Sequence, residues 1–219
     1  MKKYRMLDLF AGSGGSAQGY AQAGFEVVGV DLAPMPRYPY EFHVADALTF
    51  PLAGFDCYHA SPVCQGYTEL NSTGKEHHAK LIPAIRERLQ ATGKPFIIEN
   101  VDGARSELPG SITLCGSMFG LGVQRHRLFE SNVLLFAPGH CRHGKGCISV
   151  HGHSIWDSSL RGTTRKDGRV RPGIVSFEAG CEAMQINWMT QEELTQAIPP
   201  AYTYELGRQL LAYLESEAA

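Results

Sequence analysis

The apolar positions of the chain fall into short runs, each closed by glycine, proline or a charged turn. Tyr4–Phe10 reads as a buried strand, turned by the cluster Gly12-Ser13-Gly14-Gly15. Ser16–Ala23 is predicted as a helix of small residues stopped by Gly24. Glu26–Val30 follows as a second apolar strand ending at Asp31. Pro34, Pro36 and Pro39 force an irregular connection, after which a short extended stretch leads to Asp46-Ala47-Leu48. Asp56–Ala60 is a further strand, running into Ser61-Pro62-Val63-Cys64. Leu81, Ile85 and Leu89 line one face of a helix over Lys80–Thr92, and Pro95–Glu99 and Leu128–Phe136 read as strands. Strands alternating with helices predict an α/β fold: a doubly wound, mostly parallel sheet covered on both faces. Ligands of such sheets sit outside the carboxyl ends of the strands, and Phe10, Asp31, Asp46, Cys64 and Glu99 all fall at or just after such ends.

From about Pro138 to Gly180 the periodicity is lost and glycine, histidine and arginine accumulate. This stretch reads as a small, loop-rich insert, dividing the chain into 1–137, 138–180 and a returning segment 181–219. Order resumes at Cys181–Trp188. Thr190 has the character of an N-cap, with Glu193 completing a capping box, and Ala201–Leu214 reads as an amphipathic final helix.

The 219 residues suffice to bury a core without disulfides. A formal net charge of −2 argues against a protein that coats nucleic acid nonspecifically, while leaving room for a local basic cleft. Six cysteines show no disulfide rhythm, and neither a signal peptide nor a long apolar run is seen. The expectation is a cytoplasmic protein with reduced thiols and no membrane partner.

The glycine turn lets backbone approach a ligand closely. Asp31, roughly 20 residues on, stands where a ribose hydroxyl pair is held in nucleotide-binding folds, and Asp46 is placed to accept from an adenine amino group. The plain alternatives are a structural strand–helix turn and two ordinary loop carboxylates. Cys64 is either a buried inert thiol or a nucleophile; the stiffening Pro62 and the polar Gln65-Gly66 turn favour the second reading, which needs cationic or N–H donors nearby. Glu99 leaves an apolar strand, so desolvation favours its protonated form, which suits a proton donor; pairing with an arginine is the alternative. Arg125 and Arg127, two apart, point the same way and can grip a carboxylate or phosphate. His140, Cys141, His143, Cys147, His151 and His153 suggest a zinc site, but their spacings are not those of a standard finger; polar loop residues near DNA are the expectation, no metal is assigned, and zinc is the alternative.

Taken in order, these segments resemble the DNA cytosine carbon-5 methyltransferases. Asp8-Leu9-Phe10-Ala11-Gly12-x-Gly14-Gly15 is similar to the first motif of that family, and Ser61-Pro62-Val63-Cys64-Gln65-Gly66-Tyr67-Thr68 to its nucleophile loop. Glu99-Asn100-Val101 matches its Glu-Asn-Val, Arg125-x-Arg127 its paired arginines, and Ile198-Pro199-Pro200 with Glu205-Leu206-Gly207 its closing motif. The resemblance implies a Rossmann-like fold and S-adenosylmethionine as methyl donor, lined by Phe10, Gly12, Gly14, Gly15, Asp31, Leu32, Asp46, Ala47 and Pro62. It implies double-stranded DNA as partner, a flipped cytosine, and a monomer. Cys64 would attack carbon-6 and Glu99 would assist at ring nitrogen 3. Arg127 would support base and carboxylate, and Arg125 the surrounding backbone. Gln65 and the basic Arg161, Arg165 and Arg169 would contact DNA.

The departures are also informative. Ser61 stands for a common glycine, Val63 for a second proline, and Thr195-Gln196-Ala197 for Gly-Asn-Ser or Gly-Asn-Ala. Recognition in the family comes from the insert, here only about 40–50 residues. Each bidentate base contact discriminates by about 1–3 kcal/mol, so a target of about two to four base pairs is expected. The same chemistry on RNA or a free nucleotide, and a catalytically silent DNA-binding relative, are the alternatives. The first lacks the Cys-Phe-Thr run of the tRNA-methylating lineage; the last is disfavoured by the presence of both Cys64 and Glu99.

Overall fold

The computed structural model describes residues 3–67, 79–143, 148, 150 and 176–218. Its frame is a seven-stranded sheet: β1 (Arg5–Leu9), β2 (Glu26–Asp31), β3 (Glu41–Val44), β4 (Cys57–Ala60), β5 (Phe96–Asn100), β6 (Ile112–Leu114) and β7 (Arg127–Ser131). The spatial order is β3-β2-β1-β4-β5-β7-β6. The first five pair in parallel; β7 runs antiparallel to both β5 and β6. Among the described residues the α-helices are α1 (Gly15–Ala23), α2 (Ile82–Gln90), α3 (Phe177–Met184), α4 (Gln191–Gln196) and α5 (Pro200–Glu217). The expected doubly wound, mostly parallel α/β sheet is therefore present.

Side-chain alternation along the strands explains the two layers. Met6, Val27, Cys57, Ile97 and Phe129 face a core shared with α1, α3, α4 and α5. Their neighbours Leu7, Val28, Tyr58, Ile98 and Leu128 face the opposite core, closed by Ile82, Ile85 and Leu89 of α2. Both faces of the central strands are thus buried, which is why they read as nearly continuous apolar runs. β1 sits at the point where strand order reverses, with β2 and β4 on either side, and it is there that an open α/β sheet leaves a crevice.

Some boundaries differ from the sequence reading. β6 has only three residues, too few for an alternation to register. β7 stops at Ser131, because the Ser131 and Asn132 side chains bond the backbone of Phe96 and Lys94 and end the ladder. α3 starts at Phe177, four residues before the pattern resumes, with the Ser176 hydroxyl accepting from Ala179 N–H. The Thr190–Glu193 capping box forms as read.

Candidate active site

The glycine turn joins β1 to α1 at the carboxyl edge of the sheet. Gly12 and Gly14 have φ of 50° and 84°, a left-handed conformation that L side chains resist. A Cβ at Gly14 would lie 2.7 Å from Pro39 Cδ, so the proline-rich connection closes directly on the turn. A Cβ at Gly12 would meet no atom within 4 Å. Packing therefore does not explain that glycine, and the open space beside it suits a ligand that approaches the backbone. Phe10, also at positive φ (58°), carries backbone strain of the kind that collects at functional sites. Asp31 Oδ2 accepts from Gly12 N–H at 3.0 Å, tying the end of β2 to the turn. Beside it Leu32 is 70 % exposed, an apolar surface at the lip of the crevice. Asp46 Oδ1 accepts from Leu48 N–H and so holds its own turn, with Ala47 buried behind it. Trp188 Nε1–H donates to Ser13 carbonyl, fixing the returning segment against the turn.

Within β1, Asp8 is fully buried. Ser16 Oγ–H and Tyr38 Oη–H donate to its Oδ2, while Oδ1 has no hydrogen-bond partner. Burial pushes this carboxyl up to about 8, so it is neutral at ordinary pH.

The cysteine loop leaves β4, the strand beside β1. Cys64 opens a short 3₁₀ turn, Cys64–Tyr67, and its side chain is partly exposed. Burial raises the thiol above its usual range; Arg127 opposes this, Glu99 adds to it, and Arg125 opposes it again. The cationic neighbours a nucleophilic thiol needs are present, though they do not outweigh desolvation. Pro62 is buried and its carbonyl accepts from Asn100 Nδ2–H at 2.8 Å, so the end of β5 clamps the loop. Nothing in the sequence pattern assigned that work to Asn100.

Glu99 lies on β5 with 5 % of its surface exposed. Arg127 Nε is 3.0 Å from Oε1 but too far off the N–H axis to bond it, so that buried oxygen keeps its lone pairs free of hydrogen bonds. Burial raises the carboxyl above the glutamate range, with Arg127, the Ser61 hydroxyl and Arg125 pulling it down. Ser61 belongs to a buried relay. Tyr20 Oη lies 3.0 Å from His59 Nδ1, and His59 Nε2 lies 2.8 Å from Ser61 Oγ. Burial drives His59 down to about 3, so the ring is neutral. The bonds then all run one way: Tyr20 O–H to Nδ1, Nε2–H to Ser61, and Ser61 O–H to Glu99.

The two arginines divide their tasks. Arg127, at the start of β7, faces Glu99. Arg125 is buried and donates to the carbonyls of Val150 and Thr195 (2.9 Å for the latter), with Nε unpartnered. It therefore joins the edge of the 138–180 stretch to the returning segment. The Gln65 side chain, Thr68, Cys147, His151, His153, Arg161, Arg165 and Arg169 lie outside the described residues.

No family model matches the chain, and no curated protein matches it in sequence. Solved structures do match in shape. A protein assigned as a DNA modification methyltransferase, encoded within an Escherichia coli prophage, aligns over 98 % of this chain and 100 % of its own, at 15 % identity and a TM-score of 0.60. The Entamoeba histolytica methyltransferase EhMeth covers 98 % and 99 % at 12 % identity and TM-score 0.61. A Spodoptera frugiperda DNMT2 variant covers 97 % and 99 % at 13 % identity and TM-score 0.54. The fold is the Rossmann-like, doubly wound α/β fold that these methyltransferases share. No helix among the described residues is long and apolar enough to cross a membrane.

Proposed function

We propose that this protein transfers a methyl group from S-adenosylmethionine to carbon-5 of cytosine in double-stranded DNA. One observation carries the reading: a partly exposed thiol, a buried carboxyl and an arginine 3.0 Å from that carboxyl interact electrostatically on neighbouring strand ends, beside a glycine turn that opens into unfilled space. The residues fit the donor: the backbone at Phe10, Gly12, Gly14 and Gly15 for close approach, Asp31 for ribose hydroxyls, Leu32 and Ala47 for an aromatic ring, Asp46 for its amino group, and Pro62 closing the far side. When bound, S-adenosylmethionine supplies an electrophilic methyl on a sulfonium.

An unactivated cytosine carbon-5 is too weak a nucleophile, so transient covalent addition is required. Cys64 loses its proton and its sulfur bonds to carbon-6, while the ring electrons move toward nitrogen 3. Glu99, its carboxyl raised by burial and pulled back by Arg127, donates there, and Arg127 keeps the carboxyl in place. Carbon-5, now enamine-like, would take the methyl, the donor's sulfur leaving as a neutral thioether; nitrogen 3 returns its proton to Glu99, the carbon-5 proton passes to water, and the Cys64 sulfur departs as thiolate, restoring the ring. The target base must leave the stack to reach Cys64. We assign DNA reading to the 138–180 insert, acting in a monomer, with Arg161, Arg165 and Arg169 on phosphate and a site of about two to four base pairs. Replacing the three arginines by alanine should weaken binding and flatten its salt dependence. A strict six-base target in methylation maps would contradict the short site.

The test is incubation with DNA containing 5-fluorocytosine, whose fluorine cannot leave as a proton does. A denaturation-resistant adduct is expected with the native chain and none with Cys64→Ser. An adduct with RNA alone would move the substrate class; none with either would sink the reading.

A further inference from the structure

Four side chains that the transfer chemistry does not use converge at one point beyond the arginine pair. Cys115 follows β6, His126 lies between Arg125 and Arg127, and Cys141 and His143 sit on the loop entering the variable stretch. Their ligand atoms all lie within 4.8 Å of one another. His126 Nε2 is 3.3 Å from Cys141 Sγ; His143 Nε2 is 2.7 Å from Cys141 Sγ and 3.5 Å from Cys115 Sγ. Zinc bonds of about 2.3 Å to sulfur and about 2.0–2.1 Å to nitrogen set the donors of a tetrahedral ion roughly 3.3–3.8 Å apart. The four atoms need adjust by only roughly 1 Å to meet that figure.

The surroundings are also those of a metal centre. Ser117 Oγ lies 3.5 Å from Cys115 Sγ and 3.4 Å from Cys141 Sγ, a hydroxyl donor shared by two sulfurs, and Arg142 N–H fixes that hydroxyl at 3.1 Å. Gln124 Nε2 lies 2.7 Å from His143 Nδ1, the ring nitrogen turned away from the sulfurs, and a half-turn of the amide exchanges its nitrogen and oxygen at that place. With the amide oxygen toward the ring, Nδ1–H donates to it and Nε2 is left as ligand, the usual support for a metal-bound histidine. The His126 and His143 rings meet edge-on, with centroids 5.0 Å apart, so both direct Nε2 inward without stacking. A disulfide would account for two of these groups and leave both histidines unexplained. Two sulfurs, two imidazoles and no carboxylate select zinc(II) among common cellular ions.

We propose that Cys115, His126, Cys141 and His143 bind one structural zinc ion, which staples the start of the 138–180 stretch to the segment that carries Arg125 and Arg127. The four ligands leave no open position, so the ion takes no part in methyl transfer. Its work is mechanical. It holds His126, and with it the backbone from which Arg127 reaches Glu99, and it pins the loop at 141–143 that begins the DNA-reading segment.

The experiment uses the full native chain and does not depend on its activity. Elemental analysis of purified protein should give about one zinc per chain, and Cys115→Ser, Cys141→Ser and His143→Ala should each lower it at least about tenfold. Cys181→Ser, a free cysteine away from the cluster, should leave it unchanged. Because a ligand variant can lose metal by misfolding, the native chain is also stripped by chelator and titrated with cobalt(II). The visible bands of tetrahedral thiolate coordination, saturating at about one equivalent, are expected. Native protein without zinc that also develops no such bands overturns the proposal, as does a Cys115–Cys141 disulfide in protein purified without oxidant. Metal content and cobalt spectra stand whether or not the 5-fluorocytosine adduct forms, so the two readings fail separately.

Discussion

The two halves of the sheet's carboxyl edge are built in different ways. On the β1–β2 side the crevice is made of backbone: a left-handed glycine turn, Asp31 bonded to Gly12 N–H, and the proline connection closed on Gly14. On the β4–β5–β7 side it is made of charged and ionisable side chains: burial raises both the Cys64 thiol and the Glu99 carboxyl, and Arg127 opposes that rise in each. The first half has to present a fixed shape and tolerates little volume. The second has to change its bonding during a reaction, and so tolerates volume better than a change of charge. Asp8 and Glu99, both buried carboxyls raised by desolvation, show the contrast in small: one is held by two hydroxyls and remains neutral, the other faces an arginine and stays poised.

Glu99→Gln should break the second half alone. It keeps the shape and removes the proton donor, so the methylation rate should fall by about 10²–10⁴-fold, with cofactor affinity by calorimetry unchanged. Loss of cofactor binding would mean that the two halves are not separable. Asp8→Asn tests the first half through stability. The folded-state pKa of about 8 stands above the unfolded carboxylate value, so the native chain holds this proton more tightly. Its contribution is full below about pH 4 and is lost as pH rises toward 8. Denaturant melts should show Asp8→Asn close to the native chain below about pH 4 and increasingly more stable than it as pH rises to 8, by an amount on the order of 1 kcal/mol or more. A difference between the two chains that does not change from about pH 4 to pH 8 would count against a neutral Asp8.

Gly14→Ala places a Cβ against Pro39 in a left-handed turn, and cofactor affinity should weaken by about tenfold or more, reflecting about 1–3 kcal/mol of strain. Undiminished affinity in a titration would show that this turn does not shape the crevice. The smallest effect is expected of Asn100→Ala. It frees the Pro62 carbonyl and removes one buried hydrogen bond, worth about 0.5–1.5 kcal/mol. The adduct rate should drop several-fold while the carboxyl chemistry is untouched; an unchanged rate would show that the clamp does not position Cys64.

The backbone half was the more legible in sequence. Glycine spacing, apolar runs and a carboxylate at a strand end are local signals, so β1, α1 and β2 were readable within a residue or two. Cys64 and Glu99 were also visible, because each sits beside a strand end. What escaped were relations across the fold. Asn100 clamping Pro62, and the Tyr20–His59–Ser61 relay, join residues 38 and 39 positions apart or fall on an otherwise apolar strand. The metal tetrad escaped for the same reason. Cys115 and His126 lie outside the 140–153 cluster, and the pairing of Leu114 with Arg127 between β6 and β7 is what brings these two together. β6 itself was too short to leave a period.

The indole of Trp188, hydrogen-bonded to the Ser13 carbonyl, gives the molecule a built-in optical reporter. Only one other tryptophan, Trp156, is present, so Trp156→Phe leaves a lone fluorophore resting on the loop that a nucleoside would press against. Its emission would follow occupancy of that crevice in real time, without a label and in chains whose catalytic groups have been removed.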